Sequence, residues 1–408
     1  MRATQSGVGR ILFAVFLNAT GSWASLIALW AFASYAYGIN ASTLGWLTLT
    51  WTAPGVALAP VVARALRRFS PPPILAVGFT VGLVASLLML TFDGLVALFI
   101  AAAVFGISRG VVNPIVDGLA AWLPGNIPLL RANSWLAVST EVAMVAGAGS
   151  SAALLALAGL RSVFAFDALT FIVAGWILVR SPFLRENSSE EARPAPTKLH
   201  LDAQTARVLV QLLGVYVVWA GFLVLEPLYV RDVLGRGQIA FSLLQLTYAA
   251  GVVVASVVAQ RFRAGSVPAW SVAVACIAFG LSAGLYVGTP LLTVSAGGMF
   301  LWGVTSAAVL VIARTDVQAR FARHRAGQVL ALARGVNSAT DIVMLPVAGF
   351  LVAGGIGVSR TGLLIAAVPV CLGLLGLALR SRYGSRPASQ DGSTAGTCSQ
   401  GREWVGPV

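Results

Sequence analysis

Charge is scarce in this chain: 10% of its 408 residues are charged against 58% hydrophobic, and the mean hydropathy is +0.87. A water-soluble domain needs far more charge to cover its surface, so the composition belongs to a chain solvated by lipid. Histidine occurs only at His200 and His324, and Cys276, Cys371 and Cys398 form no Cys-x-x-Cys pair. A disulfide framework is thereby excluded, as are the clustered ligands of a metal site. No Gly-Lys dipeptide occurs, which removes a Walker A loop and a fused ATPase. No cofactor and no metal are expected, and no residue set reads as catalytic, so the chain is not an enzyme. Gly106-Ile-Ser108-Arg-Gly110 matches a nucleophile elbow in letters only, because it lies inside an apolar run. Gly147-Ala-Gly149-Ser-Ser-Ala152 imitates a dinucleotide fingerprint without a strand, and small residues there permit close helix packing instead.

What the chain has in abundance is apolar runs. About 20 apolar residues carry a helix across a bilayer. Such runs occur near 11–36, 43–63, 73–92, 95–118, 133–158 and 162–180, and again near 207–229, 240–260, 267–288, 291–313, 330–354 and 360–379. The first is too long for the apolar region of a cleaved signal peptide. The expectation is an all-α polytopic membrane protein of twelve spans, with helix bundles over 1–180 and 207–380. A charged linker at 181–206 joins them, and a polar, Gly- and Ser-rich tail at 381–408 is expected to be disordered.

The formal net charge of +13 would point to nucleic acid in a soluble protein. Its placement says otherwise. With the N-terminus inside, 21 basic residues fall in cytoplasmic segments, among them Arg64, Arg67, Arg68, Arg131, Arg261 and Arg314. Only Arg161, Arg231, Arg236 and Arg360 fall outside, and Arg109 and Arg334 lie within spans. This positive-inside bias puts both termini in the cytoplasm. Lysine occurs once, at Lys198, as in GC-rich bacterial genomes, so a bacterial inner (plasma) membrane is expected.

The two halves are related. Sliding the chain by 196 residues sets Ala53–Pro72 on Ala249–Pro268 with ten of 20 positions identical, including Gly55, Arg67, Ser70 and Pro72. Trp23-Ala24 and Trp219-Ala220 coincide under the same slide. A slide of 200 sets Thr140, Glu141, Met144, Ala148 and Gly149 on Thr340, Asp341, Met344, Ala348 and Gly349. Parallel six-helix repeats of this kind build a binding site at the interface of the halves.

Several segments carry a family resemblance. They are the basic turn VVARALRRFSPPPIL, Arg131-Ala132-Asn133, FAFDALTF, LEPLYVRDVLG and Gly327-Gln328-Val329-Leu330. In this order the chain resembles the major facilitator superfamily over residues 9–380, specifically its drug- and siderophore-exporting branch (macrolide-efflux and enterobactin-exporter-like proteins). The resemblance implies alternating access driven by an ion gradient, presumed to be protons. Two departures stand out. Ala63 occupies the place of the family's Asp in the first basic turn, and Gln260 precedes Arg261 in the second. The Gly-Pro signature that antiporters often carry in span 5 reads Gly147-Ala148-Gly149. The family's cytoplasmic charge lock is thus incomplete, and antiport does not follow from the motif.

Ionisable groups inside spans are costly and mark function. Arg109 in span 4 and Glu141 in span 5 both sit about 12–14 Å from the inner surface at ~1.5 Å per residue. They are placed to pair, either statically or as a switched, proton-linked pair. Arg109, Asn113 and Asp117 recur every four residues as one polar stripe. Arg334, Asn337 and Asp341 form another on span 11. Span 10 offers Asp341 no arginine at matching depth, and a buried carboxylate without a cation beside it takes up a proton more readily. Asp341, Glu141 and Arg109 are therefore the proton-coupling candidates. Glu226, beside Pro227 and near Arg231, is expected to form an interfacial ion pair, with an outer gate as the alternative. Asp167 is expected to make a helix-packing hydrogen bond.

Trp23, Trp30, Trp219 and Trp302, with Asn113, Asp117 and Asn337, are the substrate-cavity candidates. Arg64, Arg67, Arg68, Arg261 and Glu226 are the gate candidates. An apolar, aromatic cavity suits a bulky amphipathic or cationic ligand better than a sugar. The expected function is proton-coupled export of a small, largely apolar compound (drug, antibiotic or siderophore) by a monomer. Uptake of a siderophore or nutrient, and a non-transporting membrane sensor or scaffold, are the alternatives.

Overall fold

Every apolar run becomes a helix in the computed structural model, which describes residues 2–66, 68–119, 123, 129–181, 184, 203–259, 268, 270–320 and 323–383. The first six are α1 (Arg2–Tyr35), α2 (Ala41–Ala65), α3 (Pro71–Thr91), α4 (Leu95–Asp117), α5 (Leu129–Ala158) and α6 (Leu160–Val179). The second six are α7 (Ala203–Leu228), α8 (Gln238–Ala259), α9 (Ser271–Val287), α10 (Leu292–Arg320), α11 (Arg323–Leu351) and α12 (Val358–Tyr383). Single π-turns continue α7 over Tyr229–Val233 and α11 over Val352–Ile356. Among the described residues, nine helices are long and apolar enough to cross a membrane. Most of the 181–206 linker and nearly all of the 381–408 tail lie outside the described residues.

Local chemistry sets the helix ends. Asn40 caps α2 by accepting a hydrogen bond from the Thr43 amide at 2.9 Å. Pro71, Pro72 and Pro73 open α3, where the missing amide hydrogens cost nothing. The reversal from α5 into α6 takes one residue, Gly159, at φ 78°, a conformation open to glycine at no steric cost. Within α2, Thr48, Thr50 and Thr52 each return their hydroxyl to the carbonyl four residues earlier, so their polarity needs no water.

The packing has an internal regularity. In the first six helices, α1 packs on α5 and α6, α3 on α4 and α6, and α2 on α4. The same pairs recur six helices later: α7 on α11 and α12, α9 on α10 and α12, and α8 on α10. The two most extensive pairings between the sets, α2 with α11 and α5 with α8, exchange under the same shift, and α1 and α2 also touch α7.

Lipid provides no hydrophobic drive between helices, so close backbone approach must hold them. The glycines that match in the repeat sit at such contacts. Gly55 meets Gly110 where α2 crosses α4, and a Cβ on Gly110 would lie 2.7 Å from the Gly55 Cα. Gly251 and Gly303 do the same where α8 crosses α10, against the backbone carbonyls of Phe300 and Tyr248. Outward faces stay apolar, with Val96, Leu157 and Leu364 exposed.

Asp167 is fully buried where α1, α3 and α6 meet. Its carboxylate accepts from Ser25 of α1 at 2.7 Å, Ser86 of α3 at 3.2 Å and Thr170 at 3.3 Å. Gly21 leaves room for it, since a Cβ there would lie 2.5 Å from Asp167 Oδ1. This is the packing hydrogen bond expected from the sequence, made to two further helices.

Two measurements of thermal unfolding in detergent check these points. Gly251→Ala is expected to cost about 1–3 kcal/mol because the backbone of α10 must move, whereas Gly297→Ala, with open space around it, leaves the transition in place. Asp167→Leu, which strands buried hydroxyls, is expected to cost about 1–3 kcal/mol or more. Asp167→Asn, which still accepts from Ser25, costs less.

Candidate functional site

Between the two sets of helices lies a cavity of about 820 Å³. Its wall is drawn largely from positions equivalent in the repeat. Under the 196-residue slide, Trp23 and Trp219, Ile27 and Leu223, Thr52 and Tyr248, and Val56 and Val252 all line it in pairs. So do Gly106 with Trp302, Gly110 with Ser306, and Trp30 with Glu226. The framework is symmetric and the chemistry is not: where one half offers the indole of Trp30, the other offers a carboxylate.

Among the described residues, the cavity wall is exposed at one end. Ala59, Asn113 and Arg334 are exposed at the end where α2 and α4 finish and α11 begins. Trp30, Trp302 and Glu226, deeper in, are 2%, 3% and 5% exposed. Beyond them the helices close together. Gly45 of α2 lies against the Leu345 carbonyl of α11, and Gly349 of α11 against the Ala41 carbonyl, each leaving 2.7 Å for a Cβ.

Arg231 ties down the same end. Asp232 holds its guanidinium in a fork, Nε to Oδ1 at 2.6 Å and Nη2 to Oδ2 at 3.0 Å. The remaining nitrogen, Nη1, donates to the carbonyls of Ser34 at 2.6 Å and Ile39 at 3.2 Å. Ser34 stands in the last turn of α1, whose carbonyls have no partner within the helix, so one arginine caps α1 and joins it to the end of α7.

This overturns the expected ion pair of Glu226 with Arg231. Glu226 instead accepts a hydrogen bond from the Gln245 side chain of α8, and both residues line the cavity. The π-turn over Tyr229–Val233 turns Arg231 away toward α1, which sequence distance alone does not reveal. Asp341 also departs from expectation. A cation stands on the same wall: Arg109 of α4 and Asp341 of α11 both line the cavity, without forming an ion pair. That arginine belongs to the other half of the repeat, which depth along span 10 does not reveal. The Arg109 guanidinium also lies over the Trp51 ring, 5.5 Å from its centroid, a cation–π contact.

The four tryptophans named from the sequence, with Asn113 and Asn337, all line the cavity. Tyr248 meets Trp302 edge-on at 4.9 Å. The side chains of Asp117 and Glu141 lie outside the described residues, as do Arg67 and Arg261. Arg64 and Arg68 are exposed beside the α2–α3 turn. Trp51, Gln245 and Tyr248 were not anticipated, although Tyr248 is the repeat counterpart of Thr52, one position before the matched stretch. Ser108 donates to the Gly78 carbonyl at 2.8 Å and is a packing group, not a nucleophile.

No curated protein sequence matches this chain. Solved structures that share its fold include three transporters. A bacterial homolog of the human lysosomal transporter Spinster, inward-facing and unoccupied, aligns with a TM-score of 0.66 at 14% identity over 92% of this chain and 97% of its own. A POT family transporter in complex with a thioalcohol-conjugated peptide gives 0.72 at 12% identity over 93% and 97%. A bacterial homologue of the iron transporter ferroportin, inward-facing, gives 0.69 at 15% identity over 94% and 99%. The family model of the Major Facilitator Superfamily matches residues 11–344. Twelve helices paired in a six-helix repeat around one cavity, together with that match, make this multi-pass membrane protein a member of the Major Facilitator Superfamily.

Proposed function

We propose that the protein is a secondary exporter of a bulky amphipathic compound, working by alternating access and driven by protons. The carrying observation is the 820 Å³ cavity, walled by repeat-equivalent residues and open at one end. Two six-helix bundles, 1–180 and 207–380, rock about it, with both termini and the charged linker in the cytoplasm. The excess of basic residues at the end where Arg64 and Arg314 lie supports that orientation. The cavity then faces the cytoplasm in this conformation, and Arg231 closes it toward the outside. The drug- and siderophore-exporting branch, a bacterial plasma membrane and a monomeric state complete the reading.

The chemistry of the wall narrows the substrate. Trp23, Trp219 and Trp302 offer broad apolar contact, and Glu226 at the deep end, beside Trp30, offers a negative charge to a cationic group. Arg109 and Asp341 form the coupling pair, one from each half. Protonation of Asp341 removes its attraction for Arg109 and so weakens the hold between the halves there. By their positions in the sequence, Glu141 is a further coupling candidate and Asp117 a further cavity candidate. Arg64, Arg67, Arg68 and Arg261 serve the cytoplasmic turns that meet when the cavity closes on that side.

Reconstitution in liposomes with an imposed pH gradient tests the reading directly, by screening lipophilic cations and neutral amphiphiles for flux in both directions. Gradient-dependent export is the expected result. Import would identify an uptake system, and specific binding without flux would identify a sensor. Asp341→Asn is expected to abolish gradient-driven flux while leaving thermal unfolding unchanged; transport with an unaltered pH dependence would remove Asp341 from the coupling. Arg231→Gln is expected to open the outer end. A cysteine placed at Trp30 in a background without native cysteines should then react about tenfold faster with an impermeant thiol reagent added outside, the effect of losing a charge-assisted hydrogen bond.

A further inference from the structure

A second hollow, of about 250 Å³, lies between α3 and α6. These helices pack on α1, α4, α5 and each other, and their remaining faces turn outward. Phe79, Leu83, Phe171 and Ile172 form its apolar walls, and Gly175 keeps its floor low by packing against the Phe79 side chain. Trp176 and Arg180 stand at one end, and the Arg180 guanidinium lies 5.2 Å from the Trp176 ring centroid. Ile172, Trp176 and Arg180 are all exposed. Among the described residues no carboxylate forms an ion pair with Arg180.

The geometry suits one kind of occupant. From Ile172 to Arg180 the groove runs about 12 Å along α6, close to the hydrocarbon depth of one leaflet. An apolar trough with a cation at its polar end is complementary to a molecule with an acyl chain and an anionic head. Arginine binds phosphate through two parallel hydrogen bonds, and a tryptophan at this level belongs to the headgroup boundary. The ring of Trp176 also keeps the guanidinium from swinging freely into water.

We infer that the α3–α6 groove is a binding site for an anionic phospholipid of the leaflet at the Arg180 end, with its phosphate on Arg180 and an acyl chain along Phe79, Leu83 and Ile172. This leaflet is the cytoplasmic one if the orientation proposed above holds; binding itself depends on neither that orientation nor transport. The occupied groove splints α3 against α6, on the side of the first six helices away from the cavity.

Native mass spectrometry of the full-length protein tests this without any flux assay. The detergent-purified protein is mixed with phosphatidylglycerol or phosphatidylcholine at equal mole fraction, and the retained lipid is counted. Preferential retention of phosphatidylglycerol is expected. Arg180→Gln should lower it about fivefold, the effect of one basic residue at an anionic surface, and Arg180→Lys should restore most of it. Thr80→Trp, an exposed position lining the hollow, should displace the lipid with Arg180 intact. Equal retention of the two lipids, or phosphatidylglycerol retention unchanged in both Arg180→Gln and Thr80→Trp, would overturn the site.

Discussion

Close contact between backbones at glycine is the constraint on which the architecture rests. Helices surrounded by lipid gain little by hiding apolar side chains from one another, because the tails are as apolar as leucine. What remains is dispersion, which falls away within an ångström of optimal distance. Gly55 against Gly110, and Gly251 and Gly303 against the carbonyls of Phe300 and Tyr248, bring α2 to α4 and α8 to α10. These helices carry much of the cavity wall. Any added side chain at the crossings would move the wall itself.

The repeat explains why a symmetric frame surrounds an asymmetric site. Pairing six helices in the same order twice places equivalent residues at equivalent positions on the wall. Nothing in that geometry demands equal side chains. Trp30 faces the space that Glu226 faces from the other half, Gly106 corresponds to Trp302, and Thr52 corresponds to Tyr248. The first half thus contributes Trp23, Trp30, Trp51 and Arg109 to the wall, and the second contributes Trp219, Trp302, Tyr248, Glu226 and Asp341.

Polar groups buried in the bundle fall into two kinds. Asp167 has its hydrogen-bond partners within the first six helices, on α1, α3 and α6, and so stiffens them. Arg231 spends its donors across the boundary, on carbonyls at the end of α1. Arg109 and Asp341 stand on its two sides, both on the cavity wall. Interactions that cross the boundary must break if the halves move, whereas those within a half can persist. The difference lies in which helices a residue joins, not in residue type.

The amino-acid sequence alone determined the helices, though not their ends (the eleventh begins at Arg323, seven residues before its apolar run), because a run of apolar residues in lipid has to satisfy its own backbone hydrogen bonds and does so as a helix. It also determined the repeat, since matching glycines at Gly55 and Gly251 mark where backbones meet. The cavity tryptophans were legible too, as aromatic residues on helices that recur between the halves. Partnerships across the cavity were not. Depth along a helix can be counted from the sequence, but the azimuth that sets Arg109 and Asp341 on one cavity wall, or turns Arg231 away from Glu226, depends on helix rotation and on the π-turn after α7. Only the tertiary structure decided those pairings, because they join residues more than a hundred positions apart or redirect neighbours only five apart.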